Sequence, residues 1–222
     1  MIKNRTAQLV YLSMACAVGV IAALASVGLF DGAFRWDFYM QFTNLSNYLC
    51  LGVLISQLVG VIKRKEDSLI ATRPLLGFIG LLAILLTFFV YNFILAPTKS
   101  LATNFSAYSI TLHFMMPILY TASWILFCER QATWKFPLLS SVFPIGYISF
   151  VFLHAACFSF DSSIINFAKS GPHIYPYFFL NVDKIGTYGA VKWVIIIAVA
   201  FISLGYVMYG VDRLVLKLRK DK

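Results

Sequence analysis

Acidic side chains are scarce in this chain: nine Asp and Glu stand against eighteen Lys and Arg in 222 residues, and charged residues of both signs make up only 12%. None of the acids falls in the central third of the long apolar runs. That argues against the usual acidic proton relay or ion pathway through a membrane, and it leaves no carboxylates to complete a metal-ligand set. HExxH is absent, so no metal site is expected, and no cofactor either. The four cysteines, Cys16, Cys50, Cys128 and Cys157, form no CxxC pair and lie within or at the ends of apolar runs. They read as small packing residues. No internal repeat and no nucleic-acid motif is present. The longest connection between apolar runs, Asp161 to Gly186, is too short to fold by itself.

What fills the chain is hydrocarbon: 60% of its residues are hydrophobic and the mean hydropathy is +0.82. A membrane span needs about 20 apolar residues. Six runs qualify, at 9–30, 39–62, 75–95, 108–128, 136–160 and 187–210. The runs are continuous instead of alternating, which disfavours a β-barrel. The expected fold is all-α, one domain over residues 1–222, a polytopic bundle of six transmembrane helices. Lys3 and Arg5 before a run ending in Ala23-Leu-Ala25 resemble a signal peptide, but the run exceeds the usual apolar core of about 7 to 15 residues. It is read as a retained span.

The cations set an orientation. With the N-terminus inside, thirteen of the eighteen lie on the cytoplasmic side: Lys3, Arg5, Lys63, Arg64, Lys65, Arg73, Arg130, Lys135, Arg213, Lys217, Arg219, Lys220 and Lys222. Arg35, Lys99, Lys169, Lys184 and Lys192 remain outside. The positive-inside rule then places both termini in the cytoplasm of a cell membrane, and the net charge of +9 faces anionic lipid headgroups instead of nucleic acid.

Two stretches break the apolar pattern, Gln41-Phe-Thr-Asn-Leu-Ser-Asn47 and His113-Phe-Met-Met-Pro117. In this topology Thr43 lies roughly 6 Å inside the start of span two, His113 roughly 8 Å inside span four, and His154 roughly 9 Å from the end of span five. All three share one depth, in the outer leaflet. Thr43, Ser46, Asn47 and Cys50 follow helical spacing and form one polar stripe. His113, Pro117 and Tyr120 share a face of span four, and Tyr147 and His154 a face of span five. A polar pocket can thus be assembled from three helices, rimmed by His173-Ile-Tyr-Pro-Tyr177, with Tyr175 a substrate contact. The competing reading is helix-packing glue, because Ser, Thr, Asn and His also bond between membrane helices at about 0.6 to 2 kcal/mol per contact. Tyr39, Tyr108 and Trp193 suit interfacial anchors, and Pro117 and Pro144 suit tolerated kinks. Asn44-Leu-Ser46 and Asn104-Phe-Ser106 have the form of glycosylation sequons and carry no weight here.

The order of motifs, Trp36-Asp-Phe-Tyr-Met-Gln-Phe-Thr-Asn-Leu-Ser-Asn47, then His113-Phe-Met-Met-Pro-Ile-Leu-Tyr120 with Ser123-Trp124, then Tyr175-Pro-Tyr-Phe-Phe-Leu180, resembles the bacterial six-helix "Pr-six-Pr" membrane proteins. More distantly it is similar to the eukaryotic androgen-induced and androgen-dependent transmembrane hydrolases of fatty acid esters of hydroxy fatty acids. That resemblance implies a threonine nucleophile at Thr43 and a histidine base at His113. Relatives often carry an acid where this chain has Ser123. Asn47, which shares the helical face of Thr43, or Asn44 would supply hydrogen bonds to the oxyanion. His154 would orient His113 or contact the substrate head. Apolar surroundings suit a lipid-like ester, with membrane lipids as the partners. A non-catalytic carrier, a lipid-binding protein and a scaffold are the rival functions, and the oligomeric state stays open.

Overall fold

The computed structural model describes residues 4–32, 34–35, 37–63, 74–127, 132–160 and 174–220. Lys3, Trp36, Arg64, Lys65, Arg73, Cys128, Arg130, Lys169, His173 and Lys222, named above, lie outside them.

The chain is an all-α bundle with no strand among the described residues. Six helices are long and apolar enough to cross a membrane: α1 (Arg5–Ser26), α2 (Phe42–Lys63), α3 (Pro74–Thr98), α4 (Ala107–Phe127), α5 (Phe136–Cys157) and α6 (Val182–Leu218). This is a multi-pass integral membrane protein. Local chemistry sets several ends. Asn4 accepts from the Ala7 amide to cap α1, Ser106 accepts from Ser109 to cap α4, and Asn181 accepts from Lys184 at the start of α6. The last helix reaches well beyond the expected 187–210, and Gly186, at φ 71°, bends it near its start.

Helices α1 to α4 form the core. The first packs chiefly on α2, α2 on α3, α3 on α4, and α4 closes back on α1. Half of the apolar window of α3 is buried, against 17% for α6, so α3 is central and α6 peripheral. Close approach depends on small residues. Hydrogen is all that fits at Gly205, where a Cβ would lie 2.9 Å from the Pro137 Cβ and 3.1 Å from its Cα, and this seam joins α6 to the start of α5. Gly80 plays the same part between α3 and α4, where a Cβ would lie 2.7 Å from the Tyr120 hydroxyl.

Two helices widen at one end of the bundle. Tyr91–Leu95 in α3 and Thr111–Met115 in α4 are π turns, closed by Ala96 N–H to the Tyr91 carbonyl and Met116 N–H to the Thr111 carbonyl. Each begins six residues before a proline, Pro97 and Pro117. Proline cannot donate to the carbonyl four residues back, here Phe93 and His113, and its ring crowds that carbonyl. A wider turn absorbs the misfit and rotates the preceding side chains. That rotation decides where Tyr91 and His113 point.

Candidate functional site

Thr43 sits in the first turn of α2 and is 6% exposed. It lines a narrow, partly open cleft. The wall is almost wholly apolar: Leu86, Val90 and Leu95 come from α3, Pro144 and Ile148 from α5, and Val194 and Ile197 from α6. Hydroxyls gather on one side of it. Tyr177, on the connection before α6, accepts from the Thr43 backbone N–H at 3.4 Å and lies beside Tyr147 on the cleft wall. The Tyr147 hydroxyl in turn donates to the Met40 carbonyl at 2.8 Å. Burial pushes the Tyr177 phenol above its usual value, so it stays a neutral hydroxyl.

The rest of the α2 stripe is spent on packing. Ser46 Oγ donates to the Thr43 carbonyl at 2.9 Å and pairs with Thr87 Oγ1 at 2.7 Å, tying α2 to α3. Asn47 Nδ2 donates to the Thr43 carbonyl at 2.7 Å and to the Leu112 carbonyl at 3.3 Å, tying α2 to the π turn of α4. Both amide protons of Asn47 are therefore engaged, which leaves none for the oxyanion role expected of it; its buried Oδ1, an acceptor, has no partner among the described residues. Asn44 faces elsewhere, donating to the Phe38 carbonyl at 2.9 Å and accepting from Tyr108 at 3.4 Å.

His113 is 5% exposed and lies against the cleft wall without lining it. Its ring stacks on Tyr91 with centroids 3.6 Å apart and planes 14° from parallel. Tyr91 is the shared element, lining the cleft and covering the histidine. Nδ1 of His113 lies 3.1 Å from the Ser109 carbonyl and 3.4 Å from Ser109 Oγ. Among the described residues no hydrogen bond joins Thr43 to His113.

The single three-helix pocket expected from spacing is thus divided. Thr43, Tyr147 and Tyr177 come together on the cleft, and His113 stands behind Tyr91. Tyr120 is turned away and donates to the Gly77 carbonyl at 3.0 Å, because the π turn breaks the 3.6-residue phase that would have put it under His113. His154 bonds Tyr39 at 3.3 Å and packs on Phe150, and it is not among the residues that line the cleft. Tyr175 packs half-buried against the core, two residues from the cleft-lining Tyr177. Ser123 bonds Gln57 at 3.1 Å. Tyr91, Ser109, Asn104 and Thr87 were not anticipated. Among the described residues no three His, Cys, Asp or Glu side chains gather to hold a metal ion.

The arrangement offers a hydroxyl nucleophile at the edge of a hydrocarbon-lined cleft and a histidine one ring away. Comparison of the chain with protein-family models, curated proteins and solved structures finds no match in any of the three.

Proposed function

We propose that this membrane protein takes the chain of a lipid-like ester into the cleft and hydrolyses it at Thr43. The observation that carries the reading is the cleft itself, an apolar groove inside a membrane bundle with a threonine hydroxyl on its wall. The border residues Val90, Leu95, Val194 and Ile197 are half-buried apolar side chains on α3 and α6, and they suit an acyl tail entering sideways from the bilayer. The positive-inside reading places the site in the outer leaflet and both termini in the cytoplasm.

In the reaction, Thr43 Oγ attacks the ester carbonyl carbon while its proton passes to His113 Nε2; the carbon–oxygen bond to the alcohol breaks and the alcohol oxygen takes that proton. Water then attacks the acyl-threonine, giving its proton to His113, and Thr43 recovers its hydroxyl. Tyr177, a neutral phenol that accepts from the Thr43 backbone N–H, would turn its own proton to the carbonyl oxygen. Nε2 must come within reach of Oγ when ester is bound. The resemblance of the chain to the "Pr-six-Pr" and androgen-induced proteins supports the same pair.

A second reading is favoured by one observation: Thr43 is bonded to Tyr177 and not to His113. A lipid carrier would bind the chain in the same cleft without cleaving it. Purified protein in detergent, assayed for long-chain ester hydrolysis and fluorophosphonate labelling, separates the two. Thr43→Ala is expected to lose about 100-fold or more, and His113→Ala about 100-fold. Equal activity in the wild type and both variants contradicts the mechanism, and tight ester binding with no turnover establishes the carrier.

A further inference from the structure

A base must present a free ring nitrogen, and the hydrogen-bond directions around His113 decide which one. The chain begins at Asn104, whose Nδ2 donates to the Ala96 carbonyl at 2.9 Å, fixing the carboxamide so that Oδ1 faces Tyr91. A carboxamide oxygen only accepts, so the single proton of the Tyr91 hydroxyl is used on Asn104 Oδ1 at 2.8 Å. Ser109 Oγ, 2.5 Å from Tyr91 Oη, must then be the donor of that pair. Its proton spent, Ser109 Oγ turns only lone pairs toward His113 Nδ1 at 3.4 Å. The Ser109 carbonyl, 3.1 Å from the same nitrogen, likewise only accepts. Both neighbours of Nδ1 require a proton there, which leaves the lone pair of the neutral ring on Nε2.

We propose that Asn104, Tyr91 and Ser109 are positioning residues that lock His113 in its Nδ1–H tautomer and so make Nε2 the proton acceptor. Tyr91 acts twice, as a link in the chain and as the stacked plane that fixes the ring's tilt. The chain stands where an esterase commonly uses a carboxylate. It does the tautomer-selecting part of that task with neutral groups, which costs less in a membrane interior than a buried charge. The inference rests on the reading of His113 as the base in ester hydrolysis.

Nitrogen-15 NMR of the full chain in detergent reads the tautomer directly, with His154→Asn and His173→Asn introduced so that one ring reports. In this background the unprotonated nitrogen is expected to be Nε2. Tyr91→Phe keeps the stack but removes the acceptor of the Ser109 proton, which then turns toward Nδ1. The loss of that one bond is expected to raise the Nε2–H share about tenfold. Adding Ser109→Ala to Tyr91→Phe removes the competing donor and restores the Nδ1–H form, an outcome that general loosening of the fold would not produce. A ring in the Nε2–H form before any Tyr91 substitution, or an unchanged ring in Tyr91→Phe, overturns the proposal. Hydrolysis by the same proteins is read separately: kcat should fall in Tyr91→Phe and recover in the double variant. Tautomer shifts without hydrolysis in any protein keep the lock and discard the esterase.

Discussion

Two polar clusters lie on either side of Tyr91, built from similar groups, and they differ in how they are closed. Behind the ring, His113, Ser109 and Asn104 are joined with Tyr91 into a chain that ends on a backbone carbonyl, with the stacked tyrosine covering the histidine. On the other side, Tyr177 accepts from the Thr43 backbone N–H and Tyr147 donates to the Met40 carbonyl, and all three residues form part of the wall of an apolar cleft. Polar side chains in a membrane protein can serve as packing glue or as a site. Here cleft access separates the two uses more clearly than residue type does. Ser46 and Asn47, on the same stripe as Thr43, are consumed by interhelical bonds one turn deeper.

If Tyr91 is the partition, removing it should have the larger effect. Tyr91→Ala loses a fully packed aromatic ring, its stack on His113 and two hydrogen bonds, and is expected to cost about 3 kcal/mol or more of stability. Denaturant or thermal unfolding in detergent checks this, and a variant as stable as wild type would dissolve the distinction between the clusters. A smaller effect is expected from the cleft side. Ile197→Trp places a large ring into open space beside Val194 and should weaken binding of a fluorescent long-chain ester about tenfold, or about 1.4 kcal/mol. Unfolding should change less than in Tyr91→Ala, because Ile197 is only half-buried. Unimpaired binding would show that the chain lies elsewhere.

The six helices were legible because hydrocarbon runs of the right length leave a membrane chain few alternatives. Depth was legible too: Thr43 and His113 do lie at the same end of the bundle, near the starts of α2 and α4. Azimuth was not. Spacing at 3.6 residues per turn put His113 and Tyr120 on one face, and the π turn before Pro117 shifts that phase by about one residue. Pro97 follows Tyr91 by six residues as Pro117 follows Thr111, so α3 carried the same signal for a wide turn, but that offset does not say which α3 residue meets His113. Tyr177 was within reach as part of the aromatic connection, yet Tyr175 stood out equally, because residues 174–177 form bends and neither a helical nor a strand period orders the two tyrosines there. The bonding of Asn47 was hidden for another reason. Helical spacing places it beside Thr43 but cannot show that the Leu112 carbonyl on another helix takes its second proton.

The most direct measurement traps the covalent intermediate. Purified wild-type protein incubated with a long-chain ester, quenched in acid and examined by intact and peptide mass spectrometry should gain one acyl mass on Thr43, and Thr43→Ala should gain none. Full hydrolysis by Thr43→Ala, or an acyl group found on another residue, would contradict the account.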